Sequence, residues 1–314
     1  MHHKKARIAA KTVTVGAIVA LGLGSSQAAM AKPGPIRLAC SAGELADALA
    51  DVSSGATIYL APGCTYWLTS GLTDTKADLT IVGYDSTLER ASGASHFTIL
   101  TVNCMKDLTL DNVNFADGGG GSVWSGGAIY NDGGHLTVNG GTFTGNRSSE
   151  YGGAIYTDRS GSSLTVSGAH FSGNTAEYGG AIENGSASTA TISNSTFSQN
   201  SAPGGYYGGA IENDGTAGIT SSSFLGNTAT YGGAITNGGD LTTAGNTLDG
   251  NRAYEGGGIY EQGATLDDDG SLIMSNAATH LGGGIYNGSC VDMTLTGTTL
   301  FLNVADNIYN HGDC

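Results

Sequence analysis

Glu183 and Glu212 are the residues in this 314-residue chain whose type and spacing come closest to a catalytic pair. Each directly follows the isoleucine of a Gly-Gly-Ala-Ile motif, so stacking of successive motifs would place the two carboxyl groups about 5 Å apart, as in a retaining glycosidase. Neighbouring carboxylates also bind Ca²⁺, or simply remain solvated. Because side chains that flank a core-facing isoleucine alternate with it, we expect both glutamates to point outward. Glu150 and Glu177 form a similar pair.

Tyrosines occupy a second repeated position, immediately before the glycine pair, and an acidic or aromatic residue often precedes them. Aromatic faces stack on sugar rings, and carboxylates accept hydrogen bonds from sugar hydroxyls. The sequence therefore predicts a strip that binds a glycan. The alternative is an aromatic ladder that faces solvent and only stabilises the stacking of the repeats. The residues of the strip are Trp124, Tyr151, Tyr178, Tyr207, Tyr231, Glu150 and Glu177.

Both sets belong to a repeat that runs from about residue 115 to residue 309. Self-similarity with a period of 20 to 30 residues is typical of a solenoid, in which residues at equal repeat positions form columns. The isoleucines recur every 24 to 29 residues, at Ile129, Ile155, Ile182, Ile211, Ile235, Ile259 and Ile285. Each repeat also has an apolar residue followed three places later by asparagine, as at Asn146, Asn174, Asn200, Asn227 and Asn251.

The residues between the motifs favour a β-solenoid. Helix formers are scarce, alternating β-branched residues predict short strands, and glycine and asparagine bound these strands as turns. Three strands per repeat predict an all-β fold, a single-stranded parallel β-helix of about ten or eleven coils that spans residues 32–314 as one domain. The asparagine amides are expected to hydrogen-bond from coil to coil as a structural ladder.

The N-terminal segment, residues 32–65, has the features of a cap. Ser41 and Glu44 form a capping box, and Leu45 and Leu49 lie on one face of a short helix. Such a helix would cover the open end of the solenoid, where exposed strand edges otherwise aggregate.

The combination of Gly-Gly-Ala-Ile with Phe-x-x-Asn resembles the repeat of polymorphic outer-membrane proteins, which are bacterial surface passenger domains. The resemblance implies a right-handed parallel β-helix displayed outside the cell, often in adhesion. Those proteins usually end in a membrane β-barrel, whereas this sequence stops at Cys314 without the aromatic-rich alternating strands of a barrel. We therefore expect a freely secreted relative. The fold also resembles that of pectate-lyase-like polysaccharide enzymes, an analogy at the level of the fold alone.

Residues 1–31 have the features of a secretion signal, namely a basic start, a short apolar stretch at residues 13–23 and an Ala-Met-Ala cleavage site. We expect an extracellular protein with no membrane span after cleavage. An exported protein can keep disulfides. We expect the pairs Cys40–Cys64 and Cys290–Cys314, with Cys104 free and buried.

The net charge of −15 becomes about −19 once the four cations of the signal are removed. A strongly acidic surface argues against nucleic acid as a partner. The absence of a Cys-x-x-Cys motif argues against zinc, and Ca²⁺ is the one cofactor that the acids could bind. Three hypotheses follow for a protein expected to be a monomer: a non-catalytic protein that binds a glycan or a cell surface, a polysaccharide hydrolase or lyase, and a structural matrix protein.

Overall fold

The computed structural model of the protein describes residues 34–74, 78–103, 105–288 and 292–311. Short parallel strands stack in register as a β-solenoid of about ten turns, and the described chain has one short helix. The prediction of a parallel β-helix with a short capping helix is confirmed. The predicted signal at residues 1–31, the pair Cys290–Cys314 and Cys104 lie outside the described residues.

One sheet contains the isoleucines of the glycine motif, and we call it the isoleucine sheet. Its register aligns each isoleucine with the next, as for Ile155, Ile182 and Ile211. Leu72 and Leu100 continue this column toward the N-terminus, upstream of the recognisable repeat. The strands are Leu72–Asp74, Leu100–Asn103, Ile129–Asp132, Ile155–Asp158, Ile182–Asn184, Ile211–Asn213, Ile235–Asn237, Ile259–Glu261, Ile285–Asn287 and Ile308–Asn310.

The largest sheet contains two columns of strands that two long strands, Leu79–Arg90 and Asp107–Ala116, join together. The first column also contains Ile36–Arg37, Ala56–Tyr59, His135–Asn139, Ser163–Ser167, Thr189–Ser193, Thr216–Thr220, Asp240–Ala244, Thr265–Asp269 and Asp292–Thr296. The second also contains Thr65–Leu68, Thr142–Thr144, His170–Ser172, Thr196–Ser198, Ser223–Leu225, Thr247–Asp249, Leu272–Met274 and Thr299–Phe301. A small third sheet contains Ser201–Tyr207, Thr228–Tyr231, Arg252–Glu255 and Ala277–Leu281.

The core consists of side chains that stack on their own equivalents in the next coil. The isoleucines of the glycine motif are at most 2% exposed. Ring centroids of successive phenylalanines are 4.6 to 5.1 Å apart with nearly parallel planes. Buried aromatic stacking of this kind adds about 0.5–1.5 kcal/mol per pair beyond the burial of apolar area. The stacked rings are Phe115, Phe143, Phe171, Phe197 and Phe224.

The two glycines of each motif are required for different reasons. The first, such as Gly152, has a φ of +54°, and a Cβ there would lie 2.1 Å from the carbonyl oxygen of Ile155. The second, such as Gly180, lies against the next coil, where a Cβ would meet the Gly209 carbonyl oxygen at 2.2 Å and the Ser201 nitrogen at 2.7 Å. The first glycine therefore permits the turn, and the second permits the close approach of two coils.

A ladder of buried asparagines joins the coils at one corner. In each rung the Nδ2 group donates to Oδ1 of the asparagine in the next coil, as from Asn174 to Asn200 at 2.9 Å. Nδ2 also donates to the carbonyl oxygen of a phenylalanine in the preceding coil, as from Asn200 to Phe171 at 3.1 Å. The backbone N–H of each asparagine donates to the same Oδ1 that its own amide contacts. The ladder continues through Asn146, Asn174, Asn200, Asn227, Asn251, Asn276 and Asn303.

A second, shorter ladder lies inside the isoleucine sheet, two residues after the isoleucine. Nδ2 of Asn184 donates to Asn213 at 2.7 Å, and Asn213 donates in the same way to Asn237. Glu261 ends this run by accepting from Asn237 Nδ2 and from the Gly263 nitrogen. Burial raises the pKa of Glu261 to about 7, against the opposing effect of these two hydrogen bonds. This ladder was not predicted from the sequence, although the recurring Ile-x-Asn spacing indicates it.

The predicted N-terminal helix is present, but only half of its capping box forms, because the Glu44 carboxylate accepts from the Ala39 nitrogen while the Ser41 nitrogen donates to the Ala39 carbonyl oxygen. The helix Ala42–Asp51 begins after Ser41, whose hydroxyl accepts from the Glu44 nitrogen at 3.3 Å. Leu45 and Leu49 are buried against the first coils. Cys40 and Cys64 form the predicted disulfide, which ties the start of the helix to the strand that follows.

Replacing a ladder asparagine in mid-stack is expected to destabilise the fold more than the same change at its end. Asn200→Ala leaves buried donors and acceptors of both neighbouring coils unpaired, which we expect to cost at least about 3 kcal/mol of unfolding free energy. Asn303→Ala, at the half-buried end of the ladder, is the control. Urea denaturation measures both variants. Equal losses would show that the ladder does not act as one connected network.

A glycine with open space around it and a glycine packed against the next coil are expected to differ in the same measurement. Gly173 has a φ of +62° and open space around its Cα, so Gly173→Ala should cost about 1 kcal/mol through backbone strain alone. Gly180→Ala must displace backbone atoms of the next coil, so we expect a loss of about 3 kcal/mol. A Gly180→Ala variant as stable as Gly173→Ala would contradict the assignment of close coil approach.

Candidate functional site

Aromatic side chains from three repeat positions merge into one continuous surface, which we call the aromatic band. Tyr151, Tyr178, Tyr207 and Tyr231 stack from coil to coil with centroids 5.0 to 6.1 Å apart. A second stack at the position after the isoleucine adjoins the first, with Tyr231 and Tyr260 centroids 5.0 Å apart. The band consists of Trp124, Tyr130, Tyr151, Tyr156, Tyr178, Tyr206, Tyr207, Tyr231, Tyr260, Tyr286 and Tyr309.

The stacked tyrosines cover one another's faces. Tyr207 and Tyr231 are inclined by only 24°, and Tyr260 and Tyr286 by only 6°, so stacks of this kind present ring edges and hydroxyl groups outward. Two rings depart from this arrangement. Trp124 is 50% exposed and lies at 60° to 85° to its three tyrosine neighbours. Tyr206 is tilted by 59° from Tyr178. Tyr260 is inclined by 48° to Tyr231, but it stacks on Tyr286 at 6°.

Glu183 and Glu212 follow core-facing isoleucines, as expected, but they are not exposed to solvent. They are 2% and 3% exposed, and Tyr156 in the same column is 7% exposed. The tyrosines before the glycine pair pack against this column, since the Tyr151 ring stacks on the Tyr156 ring with centroids 5.0 Å apart. Tyr151 and Tyr178 also lie near the two glutamates.

The two buried glutamates lie side by side in one strand register. Burial is the main cause that raises the pKa of Glu183 well above its ordinary value, with Glu212 and Asp214 adding negative charge nearby. Burial also raises the pKa of Glu212, again beside Asp214. The Oε2 atom of each glutamate has no hydrogen-bond partner in the structure. A pair of desolvated carboxyl groups of this kind favours its protonated, uncharged form.

This environment limits the chemistry of the pair. The expectation of two solvated acids is wrong, because both side chains are buried. A glycosidic bond could contact Glu183 and Glu212 only if neighbouring side chains moved, because both carboxyl groups are almost completely buried.

The hydroxyl groups of the band stay protonated in neutral solution. Burial raises the pKa of Tyr130 to about 12, and its hydrogen bond to the Asp132 carboxylate acts in the same direction. Burial likewise raises the pKa values of Tyr156, Tyr178 and Tyr260. A neutral phenol both donates and accepts hydrogen bonds, so the outward edge of the band has both capacities.

The acidic members of the predicted strip lie beside the band. Glu150 is exposed and Glu177 is half-buried. The negative charge of Glu177 is the main cause that raises the pKa of Tyr206, and the two side chains also hydrogen-bond. The structure thus brings together the predicted aromatic and acidic residues along one edge of the solenoid.

Asp268 is a further buried acid. It lies in the strand Thr265–Asp269, at a core position, and accepts hydrogen bonds from the hydroxyls of Thr243, Ser271 and Thr298. Across the described ranges, no group of three or more histidine, cysteine, aspartate and glutamate side chains is arranged to hold a metal ion.

The buried pair is expected to make the fold more stable in acid than in mild base. The folded pKa of each glutamate lies above its unfolded value, so its favourable contribution is complete below about pH 4 and is lost as the pH rises through the folded pKa. Each pH unit between the two pKa values corresponds to about 1.4 kcal/mol. Urea denaturation at pH 5 and pH 8 should show this loss in the native chain.

A double variant, Glu183→Gln with Glu212→Gln, should reduce the pH dependence to the contributions of the other carboxyl groups whose pKa values are raised, Glu261, Asp214 and Glu89, and raise the stability at pH 8. The matched control is Glu150→Gln, which changes an exposed glutamate and should leave the slope unchanged. A double variant with the native pH slope would mean that the pair does not carry the dependence.

The comparisons with known proteins agree with this architecture. Residues 140–158 match the family model described as the Chlamydia polymorphic membrane protein repeat. Neither a curated protein nor a solved structure matches the chain. No helix in the described part of the chain has the length and apolar character needed to cross a bilayer. The match and the stacked coils together indicate a surface-type β-helical protein, and the repeat that builds this β-solenoid is of the polymorphic membrane protein type.

Proposed function

We propose that the protein is a secreted or cell-surface solenoid that binds a glycan along its aromatic band without cleaving it. The observation that carries this proposal is the continuity of the band, in which eleven aromatic side chains contact one another across successive coils. A linear glycan has a repeating shape of its own, so a binding surface with a regular coil repeat suits a chain of sugars.

The two kinds of ring have different roles in this proposal. Trp124 and Tyr206 are the rings on which a sugar stacks, because they are not aligned with the tyrosine stack. The stacked tyrosines instead offer hydroxyl groups at intervals of one coil, about 4.8 Å apart. Glu150 and Glu177 accept hydrogen bonds from sugar hydroxyls at the margin of the band.

The burial of Glu183 and Glu212 supports binding over hydrolysis as the activity. A retaining glycosidase needs both carboxyl groups in contact with the scissile bond, and here both are buried. The hydrolase remains the alternative, and its test is a search for new reducing ends after incubation with the same glycans. A purely structural role of the band is the outcome that remains if no glycan binds.

Trp124→Ala and Tyr206→Ala are each expected to weaken glycan binding about threefold to tenfold, which corresponds to the loss of one aromatic contact of about 0.5–1.5 kcal/mol. The measurement is a screen of neutral oligosaccharides, followed by calorimetric titration of those that bind. Both residues lie at the surface, so the variants should keep the stability of the native chain.

The matched control is Tyr254→Ala. Tyr254 is 45% exposed and stacks on His280, separate from the rings of the band. Binding that falls equally in all three variants would contradict a role of the band, and so would binding that Trp124→Ala and Tyr206→Ala leave unchanged.

A further inference from the structure

A cavity of about 290 Å³ lies beside the start of the aromatic band and contains two arginines. Only six arginines and lysines lie within the described residues of this acidic chain, so two of them in one small cavity is an unusual concentration of positive charge. The cavity is lined by Arg90, His96, Asp117, Gly145, Arg147 and the glycines at positions 118–121.

The glycines that line this cavity lie where the backbone packs closely against the next coil and against His96. Gly119 pairs with Arg147 of the next coil, and a Cβ on Gly119 would lie 1.9 Å from the Arg147 carbonyl oxygen. A Cβ on Gly120 would lie 2.4 Å from the His96 ring. At the corner where other coils carry a side chain such as Thr175, the polypeptide here leaves a concave space with Arg147 at its edge.

Arg90 is held in place by groups that do not cancel its charge. Its Nε group donates to the Asp117 carbonyl oxygen at 3.0 Å, and Nη1 donates to the Ala94 carbonyl oxygen at 3.3 Å. These two bonds fix the plane of the guanidinium and leave its second terminal nitrogen without a hydrogen-bond partner among the described residues. A fixed guanidinium with free N–H groups is suited to planar recognition of an anion.

Arg147 is exposed and has no ion-pair partner among the described residues. Arg37, by contrast, lies over the ring of Tyr59, and Arg159 forms an ion pair with Asp132. Asp117 also lines the cavity, so the cavity has two cations and one acid. The balance is positive in a protein whose net charge is −15.

A second cavity, of about 210 Å³, shares Gly121 and Arg147 with the first and extends to Glu177. The chain between the cavity and the band is short, because Trp124 follows Gly121 by three residues and the Val123 nitrogen donates to the Gly120 carbonyl oxygen. In this proposal the neighbour of a sugar stacked on Trp124 therefore lies at the cavity.

We infer that the Arg90–Arg147 cavity binds the carboxylate of an acidic sugar, a uronate, at one end of the glycan. This inference rests on the proposed function and adds the chemical class of the ligand. Only one acidic sugar is accommodated, because Glu150 and Glu177 beside the band repel further negative charge along the glycan. The expected ligand is thus a mostly neutral oligosaccharide that ends in a uronate.

The test uses the full chain and a panel of neutral oligosaccharides, each paired with a counterpart whose terminal sugar is a uronate. The native protein should bind the acidic member of at least one pair about tenfold more tightly, as one charge-assisted contact allows. Arg147→Gln should remove this preference while the affinity for the neutral member stays the same. Because Arg147 is exposed, this variant should fold normally.

Arg252→Gln is the matched control, because Arg252 also follows a ladder asparagine and is exposed, four coils away. It should keep the preference. The inference would be overturned if the native protein preferred no acidic member, or if both arginine variants lost the preference equally. In either case, binding of neutral sugars that depends on Tyr206 would still support the proposed function.

Inorganic sulfate separates the remaining outcomes. Sulfate that binds as tightly as the acidic oligosaccharide would show a simple anion site and overturn the assignment to a sugar. If no oligosaccharide binds at all, the proposed function fails, and the assignment of a uronate as the ligand fails with it. Sulfate binding that depends on Arg147 would then show that the cavity is an anion site of another purpose.

Discussion

The asparagine ladder is the interaction on which the rest of the structure depends. Every rung buries an amide whose donors and acceptors are satisfied by the preceding and following coils and not by its own. A single coil therefore cannot satisfy its own corner, and its apolar residues cannot be buried without neighbours. The ladder also fixes the register, because a shift by one residue would remove the amides from one another and turn the isoleucines out of the core.

A fixed register converts repetition in sequence into columns on the surface. The aromatic band exists because tyrosines at two repeat positions are held one coil apart, and the same constraint forces Glu183 and Glu212 against each other. The two consequences are connected, since Tyr151 and Tyr178 of the outer stack lie near these acids. The fold tolerates two desolvated acids at this position because the inter-coil hydrogen bonds and the stacked core residues stabilise the strands independently of them.

The features of the fold that depend on the spacing and type of residues could be predicted from the sequence. The columns, the ladder at Asn200 and its equivalents, the capping helix and the Cys40–Cys64 disulfide could all be derived from spacing and residue type. The burial of Glu183 could not, because strand alternation describes an isolated strand and does not include the tyrosines of the adjoining repeat position that pack beside it. Asp268 is a similar case: three consecutive aspartates suggest a loop, but hydroxyls from three neighbouring segments make one of them compatible with the core.

The rungs of the asparagine ladder are also identical in kind, since each presents one amide oxygen to the coil before it and one amide nitrogen to the coil after it. Two coils that are not neighbours now would fit together if the coil between them were deleted, and a duplicated coil would find the same partners on both sides. The length of the solenoid is therefore free to change by whole repeats during evolution without redesign of the core. Each such event would lengthen or shorten the aromatic surface by one step, so the number of sugars that it spans could be altered by recombination within the gene alone.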